Sequence, residues 1–412
     1  MSEAWIIDAC RTPRGIGKVG KGALYGIHPQ QLGATVLKAI AERNHLETAH
    51  VDDIVWGTSN QRETQSYDLG RMAALDAGFD VRSSGVTLDR FCGSGLTAVN
   101  IAAASILSGM EDVVIAGGTE MMSATAQFKN VHPLLDNGNL RLRKRHPQPH
   151  QGVCADAIAT LEGIGRSALD EWALESQTRA HAAVQEGRFA RSLVPVHRED
   201  GSLALAVDEF PRPETTAQTL ASLKPSFAAL ADHPLDETGV TYRQAISQAY
   251  PQLQIEHVHH AGNSSGVVDG AAAVLIMSPK YAKAHGFKPR ARIVATANVG
   301  DSPTLMLNAP GPATRKVLAR AGLGLGDIDL FEINEAFAVV VEKYIRDLKL
   351  DREKVNVNGG AIALGHPIGA TGAMLVGTVL DELERRDLRR GLVTMCAGGG
   401  MAPAIIVERV VR

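Results

Sequence analysis

Short β-branched apolar runs alternate along this chain with Ala- and Leu-rich stretches whose apolar positions recur at helical spacing. The pattern predicts strands over Trp5–Ala9, Asp53–Gly57 and Asp112–Gly117, and helices over Gln31–Glu42 and Gly95–Ser108. Such alternation points to an α/β fold with largely parallel strand pairing. From Ser123 to Leu235 the texture changes: prolines and charges accumulate, and only Asp170–Glu186 keeps a clear amphipathic period. After Asn263 the regular alternation resumes. The expected organisation is a first unit over 1–122, an inserted loop-rich region with a return to that unit over 123–262, and a second unit over 263–412.

The two regular regions resemble each other. Val36-Leu37 matches Val317-Leu318, and Ala116 matches Ala397, both 281 positions apart. Between them Asp53 and Asn60 match Asp327 and Asn334 at a spacing of 274. A duplicated unit whose two copies face one pocket is the expected origin.

Composition narrows the function. The 412 residues carry 42 Lys+Arg against 45 Asp+Glu, a formal charge of −3, so no overall basic field invites nucleic acid. No uninterrupted apolar run reaches the ~18–20 residues that span a bilayer. The opening MSEAWIIDACRTP does not read as a signal peptide, and the closing IIVERVVR holds no targeting tripeptide. Cys10, Cys92, Cys154 and Cys396 show no CxxC spacing, so free thiols in a reducing cytoplasm are expected.

Two glycine-rich signals lead nowhere. GIGKVG (Gly15–Gly20) imitates phosphate cradles, yet Gly22 stands where a P-loop needs Ser or Thr, and no helix follows at once. A serine nucleophile at Ser94 would need glycine two positions earlier, where Cys92 stands. No cofactor is expected. The histidine pairs His259-His260 and His146/His150 lack partner cysteines, so no metal is expected either.

Four other residues carry chemistry. Cys92 falls where a strand gives way to an Ala-rich helix, and a helix N-terminus there would favour the thiolate. His366 sits in a glycine turn entering the helix Met374–Leu383. Cys396 ends a strand before Ala397 and three glycines, and Asn334-Glu335 ends another. Nucleophile, imidazole, second thiol and carboxamide therefore fall at strand ends, where open α/β sheets bind ligands.

With CGSGL, NEAF, GHPIGATG and CAGGG in this order, the sequence resembles the thiolases, which are acyl-CoA C-acyltransferases, over almost its full length. The resemblance implies a five-layered αβαβα fold of two similar halves with a loop domain inserted in the first. It implies reversible acyl transfer between a 3-oxoacyl-CoA and CoA through an acyl-Cys92 thioester, with CoA and acyl-CoA as substrates. His366 would take the proton of Cys92, and Cys396 would exchange a proton with the acetyl-CoA carbanion. His366 and Asn334, the latter through a water, would form one oxyanion site; the N–H groups of Cys92 and Gly398 would form a second. Ser265, His150 and Gln151 are implied as substrate or CoA contacts, Glu335 as an orienting group, and a homodimer or homotetramer as the assembly.

The chain departs from the family's patterns near the substrate. QGVCAD replaces M-G-x-T-A-E, MLNAP replaces M-G-x-G-P, and His260 stands where Thr is common. These changes favour a 3-oxoacyl chain of more than four carbons over strict acetoacetyl-CoA specificity. The basic run Arg141, Arg143, Lys144 and Arg145 is either a solvated or subunit-contact loop or a rim for CoA phosphates. A decarboxylating ketoacyl synthase-like enzyme would need a second histidine where Asn334 stands, and a non-catalytic thiolase-like protein would not need all four positions filled.

Overall fold

The structure, a computed structural model, describes residues 3–129 and 134–410; the last two residues of the closing IIVERVVR lie outside them. The main strands are β1 (Trp5–Arg11), β2 (Asp53–Gly57), β3 (Ser84–Leu88), β4 (Val113–Met121), β5 (Val268–Met277), β6 (Ala291–Gly300), β7 (Leu330–Ile333), β8 (Arg390–Thr394) and β9 (Met401–Arg409). The helices that matter here are α1 (Pro29–Arg43), α2 (Leu69–Asp76), α3 (Ser94–Ser108), α4 (Gln151–Leu161), α5 (Arg166–Gln185), α6 (Pro310–Ala321), α7 (Ala338–Leu348) and α8 (Ile368–Arg385).

Among the described residues these strands, with the short Gly15–Ile16, form one ten-stranded sheet in the order β7-β8-β9-β6-β1-β5-β4-β2-β3. Each half repeats one order, and β1 joins β6 at the centre through Trp5–Arg292 and Ile6–Ala291. The pairing is mixed rather than largely parallel. Only β2–β3, β2–β4 and β7–β8 run parallel, while β5 and β9 return antiparallel beside them. Apolar runs do not encode strand direction; the connections do.

Both faces of the sheet are covered, so its strands alternate between two cores. Val114 and Ala116 of β4 face α3 and α8, together with Val274 of β5 and Ile405 of β9. Val113 and Ile115 face the other way, onto Leu32, Val36 and Leu37 of α1. In the second half Ala404 and Ile406 face Val317 of α6 and Val341 of α7. The result is five layers: outer helices, half-sheet, the central pair α3 and α8, half-sheet, outer helices. Phe91–Ser108 proves long and apolar enough to cross a membrane, with mean hydropathy 1.4. Its apolarity has another cause, for most of α3 is buried against both half-sheets and α8, with Ile101 and Leu107 left exposed.

The central helices touch backbone to backbone. A Cβ on Gly95 would meet the carbonyl oxygen of Gly369 at 2.7 Å, and one on Gly372 would meet Leu96 N at 2.1 Å. The segment between β4 and β5 is more helical than its composition suggested, since α4 joins α5 there. Buried Leu169, Trp172 and Ala173 dock α5 into the same core as α7. The glycine loop after β1 is anchored, with Gly17 N donating to Val267 O at 2.9 Å.

The repeat is real, but its register differs from the expected one. Asp53 pairs with Val114 as Leu330 pairs with Gly391, a spacing of 277. Asp52 accepts the N–H groups of Asp112 and Val113, as Asp329 accepts those of Arg389 and Arg390. Ala116 therefore corresponds to Val393, not Ala397, and Asp53 to Leu330, not Asp327. Helices α1 and α6 do keep the 281 spacing, with Pro29 and Pro310 at their first positions.

Candidate active site

Cys92 stands in the turn between β3 and α3. Phe91 adopts a left-handed backbone (φ 49°), a conformation a phenylalanine rarely takes, and Asp89 Oδ1 accepts its N–H at 2.6 Å. Ser94 Oγ closes the turn, accepting from Arg90 N at 2.8 Å and donating to Phe91 O at 2.7 Å. That hydroxyl is committed to the backbone, so Ser94 is a turn residue.

The backbone N–H groups of Cys92 itself and of Gly398 lie close enough to the Cys92 sulfur to favour its charged form. Burial nonetheless pushes this thiol up to about 12, and the Glu120 carboxylate adds to the rise. The expected thiolate is thus absent from the resting site. Desolvation outweighs the helix end, and the proton must leave as the sulfur attacks.

His366 lies on the opposite half, just before α8. Gly365, at φ 93°, opens the turn before α8, and a Cβ there would strike Val268 Cγ1 at 2.4 Å. His366 N then donates to Gly266 O at 2.8 Å. Thr371 Oγ1 gives its proton to Pro367 O (3.0 Å), so His366 Nδ1, 2.6 Å away, must be the donor to that oxygen. This assigns the tautomer with a lone pair on Nε2, toward which Asn334 Nδ2 donates at 3.3 Å. Burial, and then Arg14, lower the imidazole to about 3. A neutral His366 with its lone pair on Nε2, held only by the long contact to Asn334, is able to accept a proton there.

Asn334 follows β7, with its N–H on Thr394 O at 3.2 Å, and its Oδ1 is buried without a partner among the described residues. Glu335 faces away from this chemistry. Its carboxylate accepts from Trp172 Nε1 (3.0 Å), Ser176 Oγ (2.7 Å), Asn356 Nδ2 (3.0 Å) and Ile362 N (3.1 Å). Four donors from three segments make it a clamp between α5 and the loop leading to His366.

Cys396 lies beyond β8 and is buried. Burial raises its thiol strongly, and Cys92 is near enough to raise it further. The chain turns back at once, Ala397 N donating to Met401 O at 2.7 Å, with Gly399 and Gly400 left-handed at φ 76° and 75°. Gly398 must also lack a side chain, since a Cβ would sit 2.9 Å from the Phe91 ring.

A cavity of about 200 Å³ opens beside Cys92 and Gly398, walled by Phe91, Leu135, Met306 and Ile368, with His150 and Gln151 at its edge. Met306, like Phe91, is held left-handed (φ 63°). Non-glycine residues kept in that region mark walls the fold holds in place. His150 caps α4, its Nδ1 accepting from Gly152 N at 3.1 Å, and burial lowers its pKa. Ser265 does not line this cavity; its loop is tied to the catalytic segments by Ser265 N on Ala336 O and Gly266 N on Ala361 O, both at 3.0 Å.

The structure thus gathers Cys92, Gly398, His150 and Gln151 around one cavity, couples Cys396 to Cys92, and bonds Asn334 to His366. It removes Arg143 from the proposed basic rim, because that guanidinium is buried against Asp136 at 2.7 Å and also pairs with Asp236. His260, one of the unusual residues, pairs with Asp170 of α5 at 2.8 Å.

Sequence reasoning missed two supporting residues. Glu120, fully buried at the end of β4, accepts from Ser59 N at 2.8 Å, Gln65 Nε2 at 2.8 Å and Gly369 N at 2.9 Å, fixing the start of α8. A glutamate ending an otherwise apolar strand was the available signal. Thr371, which fixes the tautomer of His366, lies five residues beyond it in the same glycine-rich motif.

This duplicated five-layer fold, with two thiols, an imidazole and a carboxamide at its centre, defines a class. The sequence profile of the thiolase N-terminal domain matches residues 4–230, and that of the thiolase C-terminal domain matches 287–409. The chain belongs to the thiolase family. It is 40% identical to a 3-ketoacyl-CoA thiolase of Aeromonas hydrophila, over all of both chains. It is 39% identical to a steroid 3-ketoacyl-CoA thiolase of Mycobacterium tuberculosis, over 99% of this chain and 95% of the relative. Its structure is similar to that of human mitochondrial 3-ketoacyl-CoA thiolase in complex with CoA (TM-score 0.84, 32% identity, covering 100% and 98% of the two chains).

Proposed function

We propose that this chain is a 3-ketoacyl-CoA thiolase. The observation that carries the reading is a pair of buried thiols, Cys92 and Cys396, close enough to act on one another, with Gly398 beside Cys92; the Asn334–His366 hydrogen bond supports it. The full-length likeness to named 3-ketoacyl-CoA thiolases supports it.

His366 Nε2 takes the proton of Cys92 as the sulfur attacks C3 of the 3-oxoacyl-CoA. The C2–C3 bond breaks, and its electron pair leaves on C2 as the acetyl-CoA enolate. Cys396 gives C2 a proton and is left as thiolate. Free CoA then attacks the acyl-Cys92 thioester, its proton passing to Cys396. Cys92 leaves and recovers its proton from His366. The thioester suits this two-step transfer, because a thiolate both attacks and leaves well. Run backwards, the same steps make a Claisen condensation.

The N–H groups of Cys92 and Gly398 meet the acyl oxygen. His366, with a water on Asn334, meets the enolate oxygen. Donors of this kind contribute about 3–4 kcal/mol each. Ser265 contacts pantetheine, while His150 and Gln151 edge the substrate cavity; coenzyme A is a substrate and no resident cofactor takes part. Acyl chains beyond four carbons are the proposed substrates, in fatty-acid degradation of the β-oxidation type. The four unpaired thiols suit a reducing cytoplasm. Assembly as a dimer or tetramer belongs to the same proposal, and the open sheet edge at β3, with Val86 43% exposed, is the surface a second copy would use.

The test is thiolysis of 3-oxoacyl-CoAs from four carbons upward, following acetyl-CoA release. Release that rises with chain length is expected. No release from any chain would end the reading, and preference for acetoacetyl-CoA would end the chain-length part of it.

A further inference from the structure

The walls of the cavity beside Cys92 are of two kinds. Phe91, Met306 and Ile368 are apolar, but Ser59, Gln148 and Gln151 share the lining with them. Other polar side chains nearby are engaged: Gln65 bonds Glu120, and His150 bonds the start of α4. The hydroxyl of Ser59 and both glutamine carboxamides make no hydrogen bond to any described residue. Gln148 is the inner of the two amides, its Oε1 only 3.7 Å from where a Cβ on Gly399 would stand, beside the Cys396 turn. Gln151 is exposed at the rim, on the first turn of α4.

No Lys or Arg lines this cavity among the described residues, and the charges that act on Cys92 are the carboxylates of Glu120 and Asp89. We propose that the acyl chain this enzyme accepts carries an uncharged oxygen function, a hydroxyl or a ketone, which Gln148 and Gln151 hydrogen-bond. The inference rests on the thiolase reading above and names its substrate class more narrowly.

A plain alkyl tail laid across these groups would dry them without pairing them. A site with unpaired polar groups discriminates against the ligand that fails to satisfy them. A carboxylate tail would find only neutral amide donors there, with no Lys or Arg to pair its charge. Both amides can give as well as take a hydrogen bond, so they suit a hydroxyl and a carbonyl alike. They share their cavity with Cys92, the sulfur that carries the acyl group in the reading above, which sets them beside the acyl side of the substrate.

The experiment compares kcat/KM of the full chain on matched 3-oxoacyl-CoAs of one length: a plain alkyl tail, tails with one hydroxyl or ketone at successive carbons, and a tail ending in a carboxylate. The expected result is a preference of about 10-fold or more for one oxygenated tail over the alkyl one. In Gln148→Leu and Gln151→Met the ratio of the two should fall toward one. Preference for the alkyl or the carboxylate tail in the unaltered protein would overturn the inference. Equal losses on every tail with a raised KM for CoA in both variants would also overturn it, assigning the amides to pantetheine. Absence of thiolysis on all tails would instead remove the thiolase reading, and the inference with it.

Discussion

Thr119 and Cys396 occupy the same place in the two halves, 277 positions apart in the register set by the paired strands. Thr119 Oγ1 accepts the indole N–H of Trp56 at 3.0 Å and serves the core between β2 and α1. Cys396 bonds no such partner and acts on Cys92. Likewise Gly57 ends β2 where Asn334 follows β7. One scaffold has therefore been used twice with different residues at its strand ends: the first half carries Cys92, the second His366, Cys396 and Asn334. The helix crossing at Gly95 and Gly372, also 277 apart, brings the two sets together.

Breaking either half of this division should give different defects. Cys92→Ala should lower kcat for thiolysis by about 10⁴-fold or more, since no acyl-enzyme can form. Cys396→Ala should still be acylated by acyl-CoA yet lose exchange of the acetyl-CoA α-protons by about 10²–10⁴-fold, read by NMR in D₂O. Equal loss of acylation in both variants would merge the roles.

Glu335→Ala tests whether the second half depends on its clamp. It strands four buried donors and should destabilise the protein by about 3–5 kcal/mol in urea unfolding. A loss under 1 kcal/mol would show that Glu335 does not hold α5 to the loop before His366.

The pH profile sharpens the same division. Because burial and Arg14 hold His366 near 3, its imidazole stays neutral through the working range, and kcat/KM should show no acid limb near pH 6.5. An acid limb there would mean that His366 is not the depressed, buried base seen here. The sign for stability follows. The unfolded chain takes up this proton below about pH 6.5 and the folded chain only near pH 3, so stability falls as pH drops through that window.

The smallest effect is a symmetric one. Asp52→Ala and Asp329→Ala each remove one carboxylate that receives two strand N–H groups. Each should lose about 1–2 kcal/mol, and by similar amounts, if the halves are true copies.

Much of the site was legible because its residues are chemically unusual for their surroundings. A cysteine before glycines, a histidine in a glycine turn and an Asn-Glu after an apolar strand stand out in any window. Their joint resemblance to one family then supplied the roles. What lay hidden depends on three-dimensional neighbours. The thiol of Cys92 is governed by burial and by Glu120, neither visible from a helix start. Arg143 looked like surface charge until Asp136 and Asp236 closed around it. The repeat register slipped because Ala-Gly runs such as those at Ala116 and Ala397 align by composition, whereas hydrogen bonds at Asp52 and Asp329 define the true match. Strand direction was likewise decided by the returns through β5 and β9, far from the runs that predicted parallel pairing.

The most direct test of a single nucleophile served by the opposite half is peptide mass mapping after a quenched reaction with a 3-oxoacyl-CoA in the absence of CoA. The account predicts one acyl group, on the peptide containing Cys92, with Cys396 unmodified. Acylation of Cys396, or acetyl-CoA release with no acyl group on Cys92, would contradict it.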